Sequence, residues 1–252
     1  MFPMASLAFV GGMVTGSFVG VVAHRVPRGL SIVGPRSVCD SCGAQIAAYD
    51  NVPVVSWLML RGRCRNCDAR IPLRYPLVEL AVGVAFAATA IVLYDDPAQL
   101  ALGLVFVAML AAVTLTDVER GIIPNTVLLA GTVAAVALVA VTDPSSFPER
   151  AIAAGAAGGF LFVIVVAYPR GMGMGDVKLA AVMGLYLGSS VAPALLIAVL
   201  AGTIVGVGMI VAHGSAARKS AVPFGAFLAL GGVIALLAGD QLLNSYLNAF
   251  VR

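Results

Sequence analysis

The sequence predicts an all-α fold: a polytopic membrane helical bundle of about eight spans, with a small cytoplasmic zinc-binding domain between spans one and two. Three observations predict it. Of 252 residues, 61% are hydrophobic and 11% charged, with a mean hydropathy of +1.03, more apolar sequence than a soluble core absorbs. The apolar residues fall in bilayer-length runs punctuated by short segments rich in Gly, Pro and Asp. One polar segment, roughly His24 to Arg74, holds all four cysteines together with Arg25, Arg28, Arg36, Arg61, Arg63, Arg65, Arg70 and Arg74.

Met1–Ala23 is apolar and uncharged, and its basic residues follow it. A cleavable leader carries its charge first, so this segment reads as a retained first span with the N-terminus outside. His24 reads as an interfacial histidine. Seven further spans run approximately Pro76–Tyr94, Leu100–Thr116, Pro124–Val141, Ala151–Tyr168, Asp176–Leu187, Ala192–Ala212 and Phe224–Ala238, the last continuing as an interfacial stretch. The domain division is residues 1–23 as the first span, 24–75 as the cysteine domain and 76–252 as a seven-span catalytic domain. With the N-terminus outside, 13 of the 15 basic residues fall on the inner side: the eight arginines above, then Arg120, Arg170, Lys178, Arg218 and Lys219. Only Arg150 and Arg252 remain outside, the bias expected of a multi-pass membrane protein in this orientation. The arginines lack interleaved stacking aromatics, so lipid and not nucleic acid is the expected partner.

Cys39-x-x-Cys42 and Cys64-x-x-Cys67 stand 21 residues apart. Two thiolate pairs on tight turns build a tetrahedral zinc site, and an inner-side location disfavours disulfides. Four cysteine ligands leave no open position, so such a zinc is structural and folds a loop otherwise poor in core. Gly43 follows the first pair and Asp68 takes the equivalent place after the second. A redox C-x-x-C pair or four unrelated cysteines are the alternatives.

Two acids interrupt the apolar sequence at helix ends. Asp176 follows Gly171-Met172-Gly173-Met174-Gly175, whose alternate glycines allow unusual backbone and close approach. The third glycine of a dinucleotide fingerprint is missing. Asp176 is therefore an acidic active-site residue at a glycine-softened helix start, or an N-terminal cap in an ordinary loop. Asp117 sits in the last turn of span three, ahead of a helix stop at Gly121 and a new start at Pro124. There it opposes the helix dipole, which argues against a purely stabilising role. Both acids are expected at the inner side. If their hairpins pack together, the pair holds one proton; the ionised member activates water and the protonated member polarises a carbonyl.

Six motifs in order resemble the type IV prepilin peptidase family. They are Gly16-Ser17-Phe18 with His24-Arg25-Val26-Pro27, the paired C-x-x-C, and Arg74-Tyr75-Pro76-Leu77-Val78-Glu79-Leu80. Asp117 with Ile123-Pro124-Asn125, Gly171–Asp176 with Lys178, and Val222-Pro223-Phe224-Gly225-Ala226-Phe227 complete the set. His24 replaces the family's usual tyrosine, and Ala226 a frequent proline. The resemblance implies membrane aspartic proteolysis of the G-x-G-D type in a bacterial inner membrane, with Asp117 and Asp176 as the catalytic pair. It implies removal of a short basic leader, after a glycine and on the cytoplasmic side, from prepilins of type IV pilus and type II secretion systems. S-adenosylmethionine-dependent methylation of the new N-terminus commonly follows. Gly173, Gly175, Lys178 and Glu79 become supporting or substrate-binding residues by the same resemblance. Lys178 alternatively snorkels to headgroups, and Glu79 suits the first turn of its helix. Met172, Met174 and His213 read as packing or interface residues, and Gly202, Gly206 and Gly208 as helix-packing faces. The rival from another class is an ion-coupled transporter using intramembrane carboxylates.

Overall fold

A computed structural model describes residues 2–169, 171–213 and 223–250. Arg170, Arg218, Lys219 and Arg252 of the charge pattern, Val222 of the last motif and the side chain of His213 lie outside the described residues. The chain forms two compact units, Met1–Tyr94 and Asp95–Arg252.

The first unit contains α1 (Phe2–Arg25), the short α2 (Val55–Met59) and α3 (Arg74–Val92). α1 buries only Gly12, Gly16, Val19 and Ala23, one stripe at helical spacing, against α3. Glycine is required on that stripe. A Cβ at Gly12 would lie 2.8 Å from the Gly83 Cα, and one at Gly16 would lie 2.7 Å from the Glu79 Cα. The rest of α1 exposes Phe2, Leu7, Val10, Val14 and Phe18, the surface a membrane helix offers to lipid. Between α1 and α3, the cysteine loop is polar and held by specific bonds. Arg65 forks onto Asp50 at 2.8 and 2.6 Å, and the Trp57 indole N–H donates to the Ile71 carbonyl at 3.1 Å.

The described residues of the second unit form a bundle of six helices: α4 (Pro97–Arg120), α5 (Asn125–Thr142), α6 (Phe147–Ala167), α7 (Met174–Leu187), α8 (Val191–His213) and α9 (Phe224–Phe250). Asp96 caps α4 by accepting from the Ala98 and Gln99 N–H groups, each at 3.0 Å. Among the described residues, seven stretches are long and apolar enough to cross a membrane, the longest being Met174–Ala212 with 39 residues. A 3₁₀ turn at Gly188–Ser190 breaks that stretch into α7 and α8, the two spans expected there. α9 runs as one helix of 27 residues, well past Ala238.

The 14-residue α7 is the hub, with eight residues buried: Asp176, Val177, Leu179, Ala180, Val182, Met183, Gly184 and Tyr186. It packs so closely on α6 that a Cβ at Gly184 would lie 2.5 Å from the Ala154 Cα. No basic residue of its own sits in its last turn. Arg150 of α6 supplies one instead, donating to the Tyr186 and Leu185 carbonyls at 2.6 and 3.1 Å and to Ser146 Oγ at 3.0 Å. α8 meets α9 where Gly231 abuts the Ala194 carbonyl, and Gly202 lies against Phe227 and Phe224. No described atom lies within 4 Å of a Cβ built on Gly206 or Gly208.

Candidate active site and cysteine centre

Asp117 lies in the last turn of α4, whose end is set by Gly121 at φ 64°, with its N–H on the Asp117 carbonyl at 2.8 Å. Its side chain is only 7% exposed. The start of α9 closes over it. The backbone of Ala226 and Gly225 faces the carboxyl, and a Cβ at Gly225 would sit 2.8 Å from Oδ2. Among the described residues no group meets Oδ2 at full hydrogen-bond geometry, although the Ala226 and Gly225 backbone lies close to the carboxyl, and a buried oxygen in that state is costly unless something else uses it.

Asp176 is 8% exposed, in the first turn of α7. Its Oδ2 accepts from the Gly173 N–H at 3.1 Å, and its own N–H donates to the Gly173 carbonyl at 3.1 Å. Asp176 thus does cap its helix, with one oxygen. The two acids come from helix ends joined by the α4–α5 loop: Ile123 packs against both Gly175, next to Asp176, and Gly225, against Asp117.

Lys178 follows Asp176 by two residues, is exposed, and donates from Nζ to Asn125 Oδ1 at 2.9 Å. Gly173 is the N-cap of α7. Met172 packs on the core, whereas Met174 is exposed. Glu79 belongs to the first unit, 9% exposed in α3. Its Oε2 accepts from the Val54 N–H at 2.7 Å. Val54 has φ 60°, a conformation costly for a β-branched residue, and it is bonded on both sides, its N–H by the Glu79 carboxylate and its carbonyl by the Leu58 N–H at 3.0 Å. Asn125, Gly225 and Ile123 carried no role in the sequence reading, although all three fall inside its motifs.

In the first unit the cysteine loop builds two matching turns. Gly43 N–H bonds the Cys39 carbonyl at 2.8 Å and Asp68 N–H the Cys64 carbonyl at 3.0 Å. Cys39 N–H bonds Ala44 and Cys64 N–H bonds Ala69, each at 2.9 Å. Both turn residues have positive φ, 71° for Gly43 and 55° for Asp68. All four sulfurs lie within 4.8 Å of one another, with Cys39 Sγ and Cys67 Sγ 3.8 Å apart. A tetrahedron with metal–sulfur bonds of about 2.3 Å has an edge of about 3.8 Å, so the group fits a metal ion. Backbone N–H groups of Cys42 and then Ser41 bring the Cys39 thiol down to about 6, whereas Cys67, although it faces the Ala69 N–H, is pushed up to about 12 by the neighbouring thiols.

These features define a multi-pass membrane protein with two buried acids at adjoining helix ends of one unit and a metal-competent cysteine centre in the other. The family model for the bacterial peptidase A24 N-terminal domain matches residues 10–93, and that for the type IV leader peptidase family matches residues 104–207. A prepilin leader peptidase/N-methyltransferase of Bacillus subtilis is 34% identical over 97% of this chain and 98% of its own. The Aeromonas hydrophila protein of that name is 34% identical over 98% of this chain and 94% of its own. That of Myxococcus xanthus is 37% identical over 86% and 66%. No solved structure matches. The chain belongs to the prepilin leader peptidase family and is a peptidase, which displaces the transporter alternative.

Proposed function

We propose that Asp117 and Asp176 are the catalytic pair of a membrane aspartic endopeptidase that removes the basic leader of prepilins and pseudopilins by cutting after a glycine. The observation that carries this reading is Asp117 Oδ2, buried without a described partner at full hydrogen-bond geometry on the helix end that Ile123 links to the end bearing Asp176. One carboxylate takes a proton from the attacking water, and the other, protonated, donates to the scissile carbonyl. Cap bonding by Asp176 Oδ2 fixes that side chain and leaves Oδ1 for chemistry.

The charge pattern supports an inner-membrane protein with its N-terminus outside and both acids facing the cytoplasm, where the leader of a membrane-anchored pilin lies. The relatives' names include N-methyltransferase, which supports S-adenosylmethionine-dependent methylation of the new N-terminus as a second activity. Cys39, Cys42, Cys64 and Cys67 hold a structural zinc, within a cysteine domain of residues 24–75. Gly173, Gly175, Lys178 and Glu79 take supporting roles.

Co-expression with a prepilin of the same system, read by intact mass, tests this. Asp117→Asn and Asp176→Asn should each abolish leader removal while inserting normally, with wild type yielding a mature pilin carrying an added methyl group. Full cleavage by either variant would refute the pair.

A further inference from the structure

The four-residue loop between α4 and α5, Gly121–Pro124, touches both halves of the proposed centre. A Cβ at Gly175 would lie 3.1 Å from the Ile123 Cβ and 3.4 Å from its Cδ1. A Cβ at Gly225 would lie 3.0 Å from the same Cδ1 and 2.8 Å from Asp117 Oδ2. One side chain therefore fills the space above two glycines. The first glycine precedes Asp176 in sequence, and the second lies against the Asp117 carboxyl. Glycine at both positions lets the loop approach as closely as it does.

The loop is tied at both ends. Gly121 N–H bonds the Asp117 carbonyl at 2.8 Å. Beyond Pro124, Asn125 Oδ1 accepts from Lys178 Nζ at 2.9 Å, a bond between the first residue of α5 and the first turns of α7, 53 positions on. Resting on the catalytic reading of the two acids, we propose that Ile123 is the spacer that sets the separation of the Asp117 and Asp176 carboxyls, and that the Lys178–Asn125 bond clasps it in place. Ile123, Asn125 and Lys178 are positioning residues in this arrangement. The two acids work as a unit only over a narrow range of separations, because sharing one proton depends on their distance and orientation. The other charged groups near this end of α4 are Glu119 and Arg120; α7 adds Lys178, and on α9 the described acid, Asp240, is 15 residues from Gly225.

The test uses the full-length protein in lipid nanodiscs with a purified prepilin. kcat, KM and the pH profile are measured for wild type, Ile123→Val, Ile123→Ala, Lys178→Met and Lys178→Arg, each normalised to folded protein by thermal melt. Ile123→Ala should lower kcat roughly 10-fold or more while KM stays within about 2-fold. The two limbs of its pH profile should change spacing by about half a unit or more, since that spacing reports the coupling between the acids. Lys178→Met should move both quantities the same way by a smaller amount, and Lys178→Arg, which still donates to Asn125, should restore them. Should Ile123→Ala not fold, Ile123→Val, one methyl smaller, carries the same comparison.

Wild-type limb spacing in the Ile123 variants, a loss confined to KM, or equal damage from Lys178→Met and Lys178→Arg would overturn the spacer. Asp117→Asn and Asp176→Asn run in parallel separate the two failures. If either acid variant cleaves, the catalytic pair falls and the spacer with it. Inactive acid variants beside unmoved Ile123 variants remove the spacer alone.

Discussion

The cysteine loop of the first unit and the helix bundle of the second are held together by opposite means. In the first, α1 buries four residues of 24, and the cysteine loop relies on discrete bonds: a carboxylate on a strained backbone, an arginine fork and four convergent sulfurs. In the second, a helix of 14 residues buries eight of them, and shape does most of the holding. Few bonds, each with a large individual effect, hold the cysteine loop, beside the close contact of α1 on α3; many contacts of backbone on backbone hold the second unit. Substitutions should therefore act locally and chemically in the loop and cooperatively among the packed helices.

The largest expected difference is at the metal. Cys64→Ser, or chelation, should unfold the cysteine loop, because a structural zinc site contributes about 10 kcal/mol or more to its own folding. Hydrogen exchange should then rise across residues 36–73 while α4–α9 remain protected. A loss of protection throughout both units would contradict the local character of the first. Acidification should release the metal as the thiolates protonate, starting from the high-pH side where they are charged.

Next in size is Gly184→Leu, which drives a side chain into the Ala154 backbone and should cost about 3 kcal/mol or more. Detergent-resistant thermal melting should fall for the second unit as a whole, with zinc retained. Smaller still, Glu79→Ala leaves the Val54 N–H without its acceptor and should cost the loop about 1–3 kcal/mol. Val54→Gly should return part of that loss, because it removes the steric cost the carboxylate was offsetting. Equal exchange rates at residues 52–58 in the single and double variants would show the bond to be incidental.

The two cysteine turns give the finest comparison. Gly43 and Asp68 occupy the same place, at φ 71° and 55°. Asp68→Gly should stabilise the second turn by about 0.4–1 kcal/mol, and Gly43→Asp should weaken the first by a similar amount. Zinc-retention midpoints in denaturant would measure both.

Much of this was legible in the sequence, because bilayer-length apolar runs and their Gly and Pro punctuation survive any tertiary context. The stop at Gly121 and the break at Gly188 are examples. The two acids stood out for the same reason: charge within hydrocarbon is conspicuous. What could not be read is which helix ends meet. Lys178 shows this, since its partner Asn125 lies on another helix and only folding brings them together. A continuation past Ala238 is readable in the sequence; that it stays in one helix follows because polar residues from Asp240 onward end the apolar run without breaking the helix. Positive φ at Val54 ran against every local preference of valine, and its N–H meets a carboxylate 25 positions away.

The shortness of α7 has a mechanical consequence. Fourteen residues span about 21 Å, against roughly 30 Å of hydrocarbon. Its polar ends, Asp176 at one and the carbonyls that Arg150 bonds at the other, are buried among neighbouring helices. α7 is therefore held at its depth by the longer helices packed on it, and a mismatch with bilayer thickness acts on those helices first.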